Sequence, residues 1–237
     1  MVDKNRKAKV ITALAVVAAL GIGGTLAYLH QVTETATNVF ASDKSINLEL
    51  REPDWDGYEF GEEGFQYGAG VDEADKDNMD LGFNLAQRYT PGTDIPKDPQ
   101  VKNTSKDEPI YTALKVQYFK VDGSTETQMT YEDFKTAYLK ETGIVFNKDA
   151  WVKIDDGTGM DQIYMYGSGE GAAELAVNGI TTPALFGEVP LSLDLEADED
   201  GLLPKFNIKV TAYAIQATNV DAADAEDLLL NFINGQN

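Results

Sequence analysis

The chain has no cysteine and a single histidine, His30, among its 237 residues. Without cysteine, disulfide bonds, thiolate metal sites and a cysteine nucleophile are excluded. One histidine argues against a zinc enzyme, because catalytic zinc usually takes three protein ligands with histidine among them. Packing must therefore hold the fold, and a chain of this length with 43% hydrophobic residues can bury a sizeable core.

Basic residues are also scarce. The chain has 19 basic and 40 acidic residues, which gives a formal net charge of −21. A surface of this sign repels the phosphate backbone, so nucleic acid is not expected as a partner. The motifs HExxH, GxSxG and GxxxxGK[ST] are absent from the sequence. The sequence therefore predicts a protein that is not an enzyme, with no catalytic residues.

The first residues have the pattern of a secretory signal peptide. Four basic residues precede the apolar run "VITALAVVAALGI", namely Lys4, Arg6, Lys7 and Lys9. Small residues follow at Thr25 and Ala27, which predicts a signal peptide over residues 1–27 with cleavage between Ala27 and Tyr28. The alternative is a retained membrane anchor, because residues 10–29 reach the roughly 20 residues that a spanning helix needs.

Alternation of apolar and polar residues dominates the rest of the chain. It predicts strands at "KSINLEL", at residues 110–120 with one largely apolar side, and at residues 206–217. Further strands are expected at residues 83–89 and 191–195, and "AWVKID" is expected to pair with "QIYMYG". Since no βαβ alternation is present, residues 41–237 are predicted to form an all-β, jelly-roll-like β-sandwich.

Two short helices and an acidic insertion complete this prediction. Residues 51–80 are rich in Gly, Asp and Glu and show no periodicity, which is typical of an exposed insertion. Thr130 with Asp133 forms a capping box at the start of one helix. A second helix is expected near the C-terminus, capped by Asp221.

Calcium is the one cofactor that the sequence leaves open. The acidic stretches at 72–80 and 194–201 could supply oxygen ligands, and Asp198 and Asp200 are weak candidates. The second stretch fails the EF-hand pattern, because Asn207 stands where the bidentate glutamate belongs. Solvated acidic turns are the alternative, and no other metal or cofactor is predicted.

Several motifs together resemble a known family. These are "GGTLAYLHQVTETATNVFAS" followed by "INLEL", then "YTPGTDIPKDPQVKNTSKDEPIYTALKV", "TTPALFGEVPL" and "VTAYAIQA". In this order they resemble the exported proteins of Gram-positive bacteria that a SipW-type signal peptidase processes, the TasA and camelysin family. The resemblance covers about half of the chain and implies a secreted, jelly-roll protein of the biofilm matrix or cell surface. It also implies fibres, in which the mature N-terminal segment of one subunit completes the sheet of its neighbour.

Carried onto this sequence, the donated strand is the segment 28–40, "YLHQVTETATNVF". Glu34 is its only acidic residue, and the β-branched residues in it favour a pleated strand. The candidate assembly residues are Val32, Thr33, Thr35, Thr37, Val39 and Phe40. The alternatives are a frayed terminus or a strand that pairs within its own subunit. The expected partners are further copies of the chain, other matrix proteins and the signal peptidase.

Two other functions stay open at this point. A surface adhesin or carbohydrate-binding module would need an exposed aromatic platform in the insertion, formed by Trp55, Tyr58, Phe60, Phe65 and Tyr67. A camelysin-like metalloprotease is the less favoured alternative, because the lone His30 lies in the exported N-terminal segment and cannot supply a zinc site.

Overall fold

The computed structural model describes residues 30–32, 45–62, 71, 75–155 and 159–235. In this part of the chain the strands are β1 His30–Val32, β2 Leu48–Arg51, β3 Asp94–Pro96, β4 Gln100–Asn103, β5 Ile110–Asp122, β6 Thr125–Met129, β7 Trp151–Lys153, β8 Asp161–Ser168, β9 Gly171–Ala172, β10 Glu188–Pro190 and β11 Lys205–Gln216. The helices are α1 Pro53–Asp56, α2 Gly82–Ala86, α3 Tyr131–Tyr138 and α4 Ala225–Asn234. The all-β class with a few short helices is thus confirmed.

One antiparallel sheet organises the described residues. Its strand order is β1–β11–β5–β8–β7, while β6 also pairs with β5 and β9 with β8. The central strand β5 pairs with β11 along nearly its whole length, from Ile110 opposite Gln216 to Val121 opposite Lys205. On its other side β5 pairs first with β8 and then with β6, and the sheet curls like half a barrel.

The sheet is covered differently on its two faces. The even-numbered residues of β5 and β11 define the inner face, whose core includes Leu114, Val116 and Tyr118. This core also contains Leu50 and Val101 of the ribbon β2–β4, and residues of the second two-stranded ribbon, β3–β10. The odd-numbered residues define the outer face, where α4 packs on one half of the sheet and buries residues such as Tyr111, Ala113, Tyr213, Leu229 and Phe232. The prediction of a single apolar side for β5 was therefore incomplete.

Local signals correctly predicted several elements. The Oγ1 of Thr130 accepts the Asp133 N–H at 3.1 Å at the start of α3, so the capping box is confirmed. The predicted pair "AWVKID" and "QIYMYG" forms as β7 and β8. No helix in the described ranges is long and apolar enough to cross a membrane.

Three predicted elements were wrong. Residues 83–89 were predicted as a strand, but residues 83–86 belong to helix α2. Asn84 in this helix is buried and donates to the carbonyls of Asp75 and Asn78 at 3.1 and 2.8 Å. The strand predicted at residues 191–195 does not form. Strand β10 ends at Pro190, and Leu193 beyond it is 75% exposed. Helix α4 begins after Asp224, whose side chain makes no capping bond; Asp221 does not cap it.

Candidate functional site

The side of β11 that faces away from β5 is an open sheet edge, which we call the β11 edge. Strand β1 pairs antiparallel with one end of it: His30 lies opposite Ile215, Gln31 opposite Ala214 and Val32 opposite Tyr213. From Lys205 to Thr211, no strand in the described part of the chain pairs with this edge. An edge of this kind presents unpaired backbone N–H and C=O groups, which can accept another strand.

Burial along β11 changes close to the place where β1 ends. The residues from Thr211 to Ile215 are buried, but Phe206, Ile208 and Val210 are only half-buried. Their neighbours in β5, Val116 and Tyr118, are 0% exposed. The inner core is therefore less completely covered beside Phe206, Ile208 and Val210, where no described strand pairs with the β11 edge.

The sequence of β11 explains both its strand geometry and this exposed flank. Apolar residues alternate with polar ones through its first half, so one face of the strand packs on the core and the other meets water. Phe206 stacks on Tyr138 with ring centroids 4.9 Å apart and meets Phe134 edge-on at 5.3 Å. These contacts lie on the inner face, so they hold β11 in place and leave its backbone edge accessible.

On the outer face, a small polar network fixes the same half of β11. Asn207 Nδ2 donates to Glu126 Oε1 of β6 at 2.6 Å, and Lys209 forms an ion pair with the same carboxylate. These hydrogen bonds lower the pKa of Glu126. Lys209 Nζ also lies 4.5 Å from the centroid of the Phe119 ring. The network ties β11 to β6 across β5.

The structure describes only part of the predicted assembly segment. Val32 is the last residue of β1. The cleavage position Ala27 and Tyr28, and the assembly candidates Thr33, Thr35, Thr37, Val39 and Phe40, lie outside the described residues. The sequence had identified the strand that became β11 but had not assigned it as the acceptor. Its half-apolar alternation was the available signal, since edge strands often bury one face only.

The calcium candidates lie in an exposed turn that is closed by its own hydrogen bonds. Asp198 Oδ1 accepts the N–H of Asp200 at 3.0 Å and that of Leu202 at 2.8 Å. Among the described residues, no group of three or more His, Asp or Glu side chains is placed to hold a metal ion.

The aromatic residues of the insertion are partly packed. Trp55 is half-buried and meets Phe83 of α2 edge-on, with ring centroids 6.0 Å apart. Lys97 Nζ lies 4.7 Å from the centroid of the Trp55 ring. Tyr58 and Phe60 are also half-buried, and the remaining two platform candidates, Phe65 and Tyr67, fall outside the described ranges.

A buried acidic cluster next to Trp55 was missed by sequence reasoning. Lys97 Nζ pairs with Glu52 Oε2 at 2.6 Å, and Asp98 Oδ1 accepts the Asp54 N–H at 2.8 Å at the start of α1. Burial raises the pKa of Asp98 to about 7, against backbone hydrogen bonds that lower it. Burial raises the pKa of Asp56 to about 6, against a hydrogen bond from the Tyr58 N–H and the charges of Lys97 and Arg51. The sequence gives no sign of this burial, because "PKDP" at residues 96–99 contains no apolar pattern.

The comparisons with known proteins found nothing similar. No family model, no curated protein and no solved structure matches the chain. The open edge, the strand that begins to cover it and the sequence itself are therefore the grounds on which a function can be proposed.

Proposed function

We propose that this chain is an exported structural protein that self-assembles into extracellular, biofilm-matrix fibres. Each subunit donates its mature N-terminal segment, residues 28–40, to the β11 edge of the next subunit, and the added strand completes a jelly-roll-like sandwich. The observation that carries this proposal is the β11 edge. The described residues of that same N-terminal segment, His30 to Val32, pair with it. The inner-face residues Phe206, Ile208 and Val210, farther along β11, are half-buried.

Strand exchange is energetically reasonable at this edge. Each added backbone hydrogen bond contributes roughly 0.5–1.5 kcal/mol net, and covering half-buried apolar side chains adds to that. A segment that pairs within its own chain makes the same bonds when it pairs with a neighbour, so exchange between identical subunits costs little. Repeated in one direction, such a head-to-tail contact produces an open filament.

A proline in the donated segment is expected to stop fibre growth. Backbone N–H groups of a strand alternate between its two edges, so one of two neighbouring positions, Glu34 or Thr35, must donate toward the β11 edge. Either Glu34→Pro or Thr35→Pro therefore removes a ladder donor, while Thr35→Ala keeps every N–H and is the matched control. Electron microscopy of the purified variants at equal concentration is expected to show filaments for the parent and for Thr35→Ala, and no filaments for at least one of the two proline variants.

Circular dichroism should show the same folded spectrum for all of these chains, because the substitutions leave the described core residues unchanged. If both proline variants form filaments like the parent, strand donation is wrong for this protein. Monodisperse parent particles that bind glycans would favour the adhesin alternative instead, and chelator-sensitive casein hydrolysis would favour the protease.

Export is expected to leave a protein that begins at Tyr28. Thr25 and Ala27 are the small residues placed after the apolar run, which is where a signal peptidase cleaves. Intact-mass measurement of protein recovered from the medium or the cell wall checks this expectation. A chain that still begins at Met1 and fractionates with membranes would show that the segment is a retained anchor.

A further inference from the structure

We infer that a cleft beside the end of β8, which we call the β8 cleft, binds a neutral saccharide. The cleft lies between the residues that precede β7 and the β8–β9 hairpin, and its volume is about 440 Å³. Sites for small molecules in proteins have volumes of roughly 300–1,000 Å³. The residues that shape it are Asp149, Tyr166, Gly167, Ser168, Glu170 and Ala172.

The β8 cleft is separate from the β11 edge. Strands β7, β8 and β9 lie on one side of β5 in the sheet, and β11 lies on the other side. The inference therefore goes beyond the proposed assembly into fibres and does not depend on it. Binding at the cleft can be measured whether or not the chain forms filaments.

The floor of the β8 cleft has no room for larger side chains. In the β8–β9 hairpin, Gly167 lies opposite Ala172 and Ser168 lies opposite Gly171. A Cβ on Gly167 would lie 2.3 Å from the Gly171 carbonyl oxygen and 2.9 Å from the Ala172 Cα, so only glycine fits there. The Gly167 N–H donates to the Ala150 carbonyl at 2.9 Å, which joins the two sides of the cleft. The floor is thus built from backbone and small residues, which leaves space for a ring-shaped ligand.

The wall of the cleft carries one aromatic ring in a fixed position. The Tyr166 hydroxyl donates to the Thr182 carbonyl at 3.2 Å and accepts the Thr182 N–H at 3.4 Å. The Tyr166 ring also meets the buried Trp151 edge-on, with ring centroids 5.2 Å apart. Tyr166 itself is half-buried, so part of it faces the cleft. Because the ring is held before a ligand arrives, binding costs little side-chain entropy.

The rim of the cleft accepts hydrogen bonds and carries no positive charge. Asp149, Ser168 and Glu170 are exposed there, and no Lys, Arg or His of the described chain lines the cleft. A carboxylate only accepts hydrogen bonds, so the ligand must donate them. A phosphate or another anion does not fit, because the carboxylates and the net charge of −21 repel it.

A saccharide has the two properties that this cleft requires. Its hydroxyl groups donate to carboxylates, and the C–H face of its ring is apolar and packs on an aromatic side chain. An ammonium group is the competing ligand, since carboxylates and an aromatic ring also attract cations. Both rim carboxylates are exposed, however, so water and salt weaken any ion pair with them. The saccharide is favoured, because its contacts do not depend on charge attraction in water.

Isothermal titration calorimetry of the full chain with two neutral oligosaccharides, cellohexaose and chitohexaose, tests the inference. We expect at least one of them to bind with a Kd of about 1 mM or tighter. Tyr166→Ala removes the aromatic wall and is expected to weaken binding roughly tenfold or more. Tyr166→Phe keeps the ring and is the matched control, expected to stay within about threefold of the parent.

A second variant tests the rim without touching the packed wall. Glu170→Ala removes an exposed acceptor and is expected to weaken binding roughly fivefold. Glu199→Ala removes an equally exposed carboxylate from the distant acidic turn and should leave the Kd unchanged. Circular dichroism shows whether each variant is folded. Should Tyr166→Ala fail to fold, the Glu170→Ala and Glu199→Ala pair decides the location of the site.

The class of ligand is tested by salt and by a cationic probe. A neutral saccharide should bind equally well in about 50 mM and about 500 mM NaCl, whereas binding of a lysine tetrapeptide should weaken with salt. Binding of the tetrapeptide but of neither oligosaccharide, lost in Tyr166→Ala, would overturn the saccharide in favour of a cation. No binding of either oligosaccharide to the parent, or binding that Tyr166→Ala and Glu170→Ala both leave unchanged, would overturn the site.

Discussion

Replacing Gly82 with alanine is expected to lower the unfolding free energy by roughly 3 kcal/mol, near the upper end of what overpacking costs. A Cβ at this position would lie 1.8 Å from the carbonyl oxygen of Pro96 and 2.7 Å from Trp55 Cε3. The first of these atoms belongs to the backbone, so α2 must move away from β3 to make room. Helix propensity alone would favour alanine by about 1 kcal/mol, and the steric clash outweighs it.

The matched control for this substitution is Gly187→Ala. A Cβ at Gly187 meets no atom within 4 Å, and the residue is exposed. Its unfolding free energy should change by no more than about 0.5 kcal/mol. Thermal melts should therefore show a Tm lower by roughly 6–12 °C for Gly82→Ala and an unchanged Tm for the control, since 1 kcal/mol corresponds to about 2–4 °C at this size. Equal Tm values for the two variants would contradict the close packing of α2 on β3.

The second large effect is expected from pH, through Asp98. Its carboxyl is buried, with Glu52 and Asp54 nearby, and burial raises its pKa to about 7. In the unfolded chain an aspartate has a pKa near 3.9, so between about pH 4 and pH 7 the folded state binds more protons than the unfolded state. The free energy of unfolding therefore falls as the pH rises through this window. Asp56, with a pKa of about 6, acts in the same direction.

The substitution Asp98→Asn separates the pH dependence due to this one carboxyl from the repulsion between the other acidic residues of the chain. Asparagine resembles the protonated carboxyl and keeps an oxygen that can accept the Asp54 N–H. We expect the variant to match the parent below about pH 4 and to exceed it in unfolding free energy by roughly 2 kcal/mol at pH 8, a figure reduced for partial solvent screening.

Urea titrations at several pH values measure the difference directly, and Trp55 beside the cluster supplies a fluorescence signal. Asp149→Asn removes an exposed carboxylate and is the control, expected to follow the parent at every pH. A variant-minus-parent difference that does not grow between pH 5 and pH 8 would mean that the Asp98 carboxyl is not held in its neutral form by the fold.

These two predictions concern residues for which the sequence offered no signal. Gly82 stood directly before the segment 83–89 that was predicted as a strand, and Asp98 stood between Pro96 and Pro99, with no apolar pattern around it. The space around a glycine and the burial of a carboxyl depend on which distant segments meet there. In the structure these are β3, α1 and α2, which are brought together by long-range packing.

What the sequence determined by itself is local. The alternation in residues 110–120 and 206–217 predicted β5 and β11, and Thr130 with Asp133 predicted the start of α3, because a strand face or a helix cap is encoded within a few neighbouring residues. The assembly role of residues 28–40 came from a family resemblance, and it stays a prediction. Only the tertiary structure decided that β11 lies beside β5 and that its far edge is left open beyond Ala212 in the described chain. Strand neighbours are chosen by pairing between residues far apart in sequence, and no local pattern specifies that choice.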